Sequence, residues 1–121
     1  MPREFNRTRR VNEQLKRELA QIIQLELKDP RLGMVTVSAV ETTRDLNHAT
    51  VYVTVFGVDS TPQVIFLLNE AAGYLRNELA RRVHMRTVPA LSFVFDESIA
   101  RGNHVRELID EMNIQSENET N

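Results

Sequence analysis

The sequence predicts an α+β domain in which helices cover one face of a small sheet. Three observations lead there. Two long segments repeat apolar residues at i, i+3 and i+4, three shorter ones alternate at period two, and each alternating segment has one aliphatic side and one mostly polar side. A chain of 121 residues has room for one domain, and its 41% hydrophobic and 26% charged residues, with four glycines and four prolines, are globular in composition.

From Arg7 to Leu27, the residues Val11, Leu15, Leu19, Ile22 and Ile23 form one apolar stripe, with Arg10, Glu13, Arg17, Gln21 and Gln24 on the other side. Asp29-Pro30 and Gly33 end this helix, because proline disfavours helical backbone at the residue before it. Two strands follow, with Val35, Val37 and Ala39 alternating with Thr36, Ser38 and Val40. Beyond a polar turn from Thr43 to Asn47, Val51, Val53 and Val55 alternate with Thr50, Tyr52 and Thr54. This is the pattern of a half-buried antiparallel hairpin.

Thr61-Pro62 opens the next helix, whose stripe runs through Val64, Leu68, Ala71, Leu75, Leu79 and Val83 to about Arg86. A straight helix of ~25 residues would be ~37 Å long. That overhangs a domain whose radius of gyration is ~13–14 Å, so a bend is expected at Ala71-Ala72-Gly73, around the only glycine in the pattern. A third strand, Leu91 to Phe95, turns Leu91, Phe93 and Phe95 to one side. A short helix is expected from Asn103 with Val105, Leu108, Ile109 and Met112 as its apolar side. Residues 113–121 are expected to be a flexible acidic tail after a domain of residues 1–112.

The net charge of −2 hides an asymmetry: residues 1–33 and 74–90 each carry +3, residues 34–73 carry −3 and residues 91–121 carry −5. All the basic residues except Lys16 and Lys28 are arginine, whose planar fork suits bidentate phosphate contacts. If the two basic segments converge in the fold they make a cationic face for nucleic acid; otherwise they are ordinary solvated helix surfaces.

Other chemistry is not signalled. There is no cysteine, so disulfides and thiolate metal sites are excluded, and no apolar run approaches the ~18 residues of a membrane span. Met1-Pro2-Arg3-Glu4-Phe5 lacks the apolar stretch of a secretory signal, so a cytoplasmic location is expected. His48, His84 and His104 lack metal-ligand spacing, the four glycines make no phosphate loop, and Asp96, Ser98 and His104 read as a strand end and turn rather than a triad. No catalytic residue, metal or cofactor is expected. The polar sheet face carries one aromatic, Tyr52, too few for base stacking there.

Six segments then carry a resemblance: Arg9-Arg10-Val11, Lys28-Asp29-Pro30-Arg31-Leu32-Gly33, Thr43-Arg44-Asp45-Leu46, Ala49-Thr50-Val51-Tyr52-Val53, Glu70-Ala71-Ala72-Gly73-Tyr74-Leu75-Arg76 and Val88-Pro89-Ala90-Leu91-Ser92-Phe93. In this order, from about Phe5 to Met112, the chain resembles bacterial ribosome-binding factor A. The resemblance implies a type II KH-like single domain: a three-stranded sheet with helices on one face, in the order α-β-β-α-(bend)-α-β plus a short C-terminal helix. It also implies a non-enzymatic assembly factor that binds the small ribosomal subunit and its rRNA in late maturation and supports precursor 5′-end processing, notably in the cold, with release by an assembly GTPase. KH domains that bind single strands use a Gly-X-X-Gly loop. This family is similar but has Ala-X-Gly, matched by Ala71-Ala72-Gly73, which removes that backbone clamp.

The residues expected to contact RNA are Arg3, Arg7, Arg9, Arg10, Arg17, Lys28, Arg31, Arg44, Arg76, Arg81, Arg82 and Arg86, acting on phosphates of folded rRNA. Arg76 borders the apolar stripe and also reads as a snorkelling core-edge residue, while Arg82 and Arg86 drift toward the buried side. Nothing demands an oligomer, so a monomer is expected. The alternatives are a KH-like module acting on mRNA or small RNA, a small hydrolase, and a protein-docking adaptor using the hydroxyl-rich sheet face.

Overall fold

The computed structural model describes residues 3–97, with side chains from residue 7 onward. The expected helix from Asn103, the acidic tail and their boundary lie outside the described residues. In chain order the elements are α1 (Arg3–Leu25), a 3-10 turn (Pro30–Leu32), β1 (Met34–Thr42), β2 (His48–Phe56), α2 (Thr61–Glu70), α3 (Ala72–Arg82) and β3 (Ala90–Phe95). The sheet order is β1-β2-β3, with β1 antiparallel to β2 and β2 parallel to β3. Connecting parallel neighbours requires a crossover, which α2 and α3 supply.

The α1 stripe is the expected one: Leu15, Leu19 and Ile22 are buried among Val37, Val51, Val53, Leu75, Leu79 and Phe93. Burial of each such side chain contributes ~1.5–3 kcal/mol. The helix stops four residues before Asp29. The Asp29 carboxylate instead caps the short turn that follows, accepting from the Arg31 N–H at 3.0 Å. Gly33 is required there: its φ is +62°, and a Cβ would lie 2.4 Å from the Phe56 carbonyl oxygen.

Strand β1 departs from simple alternation. Its register with β2 slips between Val37 and Ala39, leaving Ser38 as a bulge. The extra residue shifts the pleat by one position, so Val40 is buried with Val37 and Ala39 is only half-buried. The helix pair opens at Thr61-Pro62 as expected and is capped by the preceding Ser60, whose hydroxyl accepts from the Gln63 N–H. It is interrupted at Ala71 (φ −87°, ψ 2°), and α3 starts at Ala72. Gly73 therefore lies inside α3, where a Cβ would meet nothing within 4 Å.

Two asparagines close the edges of the sheet. On β3, Asn69 of α2 accepts from the Phe93 N–H at 2.8 Å and donates to the Phe93 carbonyl at 3.0 Å. On β1, Asn12 of α1 accepts from both the Thr42 N–H (3.0 Å) and the Thr42 hydroxyl (2.7 Å). Each replaces a missing strand neighbour over one residue of an otherwise unpaired edge.

Candidate nucleic-acid interface

The basic residues fall into two groups with different surroundings. On α1, Arg9, Arg10 and Arg17 surround a shallow hollow of about 510 Å³ together with Glu13. Helical periodicity places them there, since residues 9 or 10, 13 and 17 recur on one side of the helix away from the buried stripe. All three arginines are exposed, and among the described residues none of them, nor Arg7 or Lys16, forms an ion pair. The Asn12–Thr42 bonds bring the β1–β2 turn against this end of α1. That turn presents an exposed Arg44 and is held by Asp45, which accepts from the Thr43 hydroxyl at 2.6 Å and the Asn47 N–H at 3.0 Å. Those two bonds, the hydroxyl first, hold the Asp45 carboxyl below the usual carboxylate range.

The arginines of α3 are engaged within the protein. Arg76 donates to the Val88 carbonyl from Nε at 3.0 Å and Nη2 at 2.8 Å, tying α3 to the approach to β3. Arg82 lies 3.6 Å from Glu26, just past the end of α1, and Arg81 lies 3.1 Å from Glu78. Arg31 is paired with Asp29 at 2.7 Å, and the hydrogen bond lowers the carboxyl and raises the guanidinium.

A single patch drawn from all the basic segments does not form. Glu26 lies sixteen positions after Arg10, or ~24 Å along a helix, so Arg82 and its neighbour Arg81 sit at the far end of α1 from Arg9 and Arg10. Lys28 is exposed at that far end, Arg86 is exposed in the loop after α3, and the side chain of Arg3 lies outside the described residues. What the structure brings together is the face of α1 with the hairpin turn.

The uncovered sheet face has a different character. Tyr52 donates to Glu41 at 3.3 Å, and Ser38 donates to the buried Asp96 at 2.5 Å. Burial, followed by the Glu41 carboxylate, pushes the Tyr52 phenol up. Carboxylates at this density repel phosphate, which makes this face a poor surface for nucleic acid. Sequence reasoning missed Asn12 and Asn69. A polar residue beside an apolar stripe, at the position facing a strand edge, is the faint signal they leave.

Comparison with known proteins points one way. A family model described as Ribosome-binding factor A matches residues 7–109. Ribosome-binding factor A of Pseudomonas fluorescens (strain SBW25) is 50% identical over 113 residues, covering 91% of this chain and 86% of that one. Among solved structures, the crystal structure of ribosome-binding factor A from Thermus thermophilus is 40% identical with a TM-score of 0.66, over 72% of this chain and 93% of that one. A homology model of the Thermus thermophilus factor, fitted into a cryo-EM map of its complex with the 30S subunit, is 41% identical with a TM-score of 0.61, over 71% and 91%.

Proposed function

The chain belongs to the ribosome-binding factor A family, and on that premise we propose that it docks on the small ribosomal subunit and contacts its rRNA through the exposed face of α1. The observation that carries this reading is the set of guanidinium groups of Arg9, Arg10 and Arg17 on one helix face, without an ion pair among the described residues, with Arg7 and Arg44 at the same end. Each phosphate they neutralise releases condensed counterions, so log K falls against log salt with a slope of about −0.7 to −0.9 per contact. The relative fitted into a 30S map supports the small subunit as the target.

The protein works in this reading by occupying rRNA rather than by chemistry on it. As an assembly factor it supports precursor 5′-end processing in the cytoplasm, acts as a monomer, and leaves the subunit when an assembly GTPase displaces it. Co-sedimentation with purified small subunits across a salt series tests the proposal. Steep salt dependence, flattened by replacing Arg9, Arg10 and Arg17 together with Gln, is the expected result. Salt-insensitive binding, or a preference for free oligoribonucleotides over subunits, overturns it in favour of a protein-docking adaptor or a general RNA-binding module respectively.

A further inference from the structure

We propose that the cleft between α1 and the bulge in β1 is a subsite for one unstacked RNA nucleotide, with its phosphate between Arg9 and Lys16 and its base edge on Asn12. The proposal rests on the RNA-binding reading above and adds to it a specific pocket and a reading group.

The cleft has a volume of about 210 Å³, with Thr8, Arg9, Asn12, Glu13 and Lys16 on its helical wall and Ser38 to Val40 on its strand wall. Arg9, Asn12, Glu13 and Lys16 recur at i, i+3, i+4 and i+7, so these four share one side of α1. The strand wall is the bulge itself, where Ser38 has no opposite number in β2. Bulges leave the ladder locally open and re-aim neighbouring groups, and they recur beside binding sites.

Asn12 supplies the directional element. The Thr42 N–H and the Thr42 hydroxyl both bond to Asn12 Oδ1. A backbone N–H can only donate, so the amide orientation is fixed by chemistry, and the acceptor sites of Oδ1 are filled. The side chain therefore has only its Nδ2 donors left to offer. Asn69 on the opposite edge of the sheet is the contrasting case: its Nδ2 is spent on the Ile65 and Phe93 carbonyls and its Oδ1 on the Phe93 N–H. Among the described residues Asn12 is half satisfied where Asn69 is fully satisfied, although both close a strand edge.

The charges select a nucleotide over a bare anion. Arg9 and Lys16 form no ion pair among the described residues, while Glu13 shares the cleft with them. A free phosphate would meet that carboxylate as well as the two cations. A nucleotide can turn its phosphate to Arg9 and Lys16 and a base N–H to Glu13, with a base acceptor on Asn12 Nδ2. Among the described residues no aromatic lines the cleft, so the guanidinium plane of Arg9 is the stacking surface they offer. A duplex cannot present a base edge in so narrow a space, which restricts the ligand to loops, bulges and ends.

The test uses the full chain. In 15N NMR titrations with adenosine 5′-monophosphate, a short single-stranded oligoadenylate, inorganic phosphate and an acidic peptide, the two nucleotide probes are expected to shift the Asn12 side-chain amide and the backbone amides of Ser38 to Val40. Inorganic phosphate is expected to shift only signals near Arg9 and Lys16. Asn12→Asp keeps both bonds to Thr42 and removes the donors. It should melt like the wild type yet bind small subunits about tenfold more weakly, with its salt slope changed by less than about one. Nucleotide titrations that leave Asn12 unmoved, or shifts produced by the acidic peptide alone, overturn the proposal, as does wild-type subunit affinity in Asn12→Asp. If that variant melts early, Lys16→Gln at the half-buried rim gives the second reading. Its affinity loss together with weakened nucleotide shifts supports the subsite, and unchanged shifts overturn it. Loss of salt dependence in the wild-type chain would strike the docking surface instead, and the nucleotide titration would still report on the cleft.

Discussion

Helices α1 and α3 carry arginines at comparable density, and the structure uses them for opposite purposes. On α1, Arg9, Arg10 and Arg17 stand in solvent around a shared hollow with no ion-pair partner among the described residues. On α3, Arg76 holds the Val88 carbonyl, Arg81 faces Glu78 and Arg82 faces Glu26. For Arg76 and Arg82 the engagement of the guanidinium group is a tertiary property, whereas Arg81 meets a carboxylate three residues away on its own helix. A cation already bonded to its own protein must give up that partner before it can meet a phosphate, so its net gain is smaller.

The largest expected effect contrasts the two helices directly. Replacing Arg9, Arg10 and Arg17 with Gln should lower affinity for small subunits on the order of a hundredfold at ~0.1 M salt and reduce the salt slope by about two to three. The matching set Arg76→Gln, Arg81→Gln and Arg82→Gln should change that slope by less than about one, while thermal melting shifts downward through loss of the Arg76–Val88 bonds. Equal slopes in the two triple variants, read by co-sedimentation, would break the contrast.

Next in size is a purely structural change. Asn69→Ala leaves the Phe93 N–H and carbonyl without their partner and should cost about 1–3 kcal/mol, read by denaturant unfolding, with unchanged salt dependence of subunit binding. A smaller effect tests the idea of engaged cations: Glu26→Gln releases Arg82, and subunit affinity should rise by less than about threefold, since the pair is half exposed and worth ~1 kcal/mol at most. A fall in affinity would show that Glu26 itself serves the interface.

The smallest effect is the response to acid. The folded-state values of Asp29 and Asp45 lie below their ordinary range. Their stabilisation is therefore complete above the ordinary value of ~3.9 and is lost as pH falls through the lowered folded values. The turn presenting Arg44 and the turn holding Arg31 should loosen together below about pH 4, seen as lost protection of the Asn47 and Arg31 amides relative to their intrinsic exchange rates at each pH. The α1 face, which has no such carboxylate cap among the described residues, should stay ordered through the same range.

Much of the fold was legible because it is written in local periodicity. The stripes and the alternating segments follow from side chains a few residues apart, and the interruption of the long helix follows from its length against the size of the domain. Two local readings shifted in the structure. The bulge at Ser38 moved Val40 rather than Ala39 into the core, because one inserted residue reverses the pleat without altering composition. The helix breaks at Ala71, and Gly73 sits in α3 with open space where a side chain would be, so the bend does not depend on its conformational freedom. The candidate site was legible as a list of arginines and not as an arrangement. Asn12 had no signal beyond its polarity, because its meaning comes from Thr42, thirty residues away.

The elements, their order, the buried stripes and the bias toward arginine follow from residue types and their neighbours along the chain, and so does the Arg81–Glu78 pair, three residues apart on one helix. Packing decided that Arg76 and Arg82 are engaged and that Asn12 is held at the sheet edge. The contacts concerned, Arg76 with Val88, Arg82 with Glu26 and Asn12 with Thr42, join residues that only the tertiary fold brings within hydrogen-bonding or ion-pairing distance. Such interactions fall off within a few ångströms, and pattern along the chain carries no record of distances across the fold.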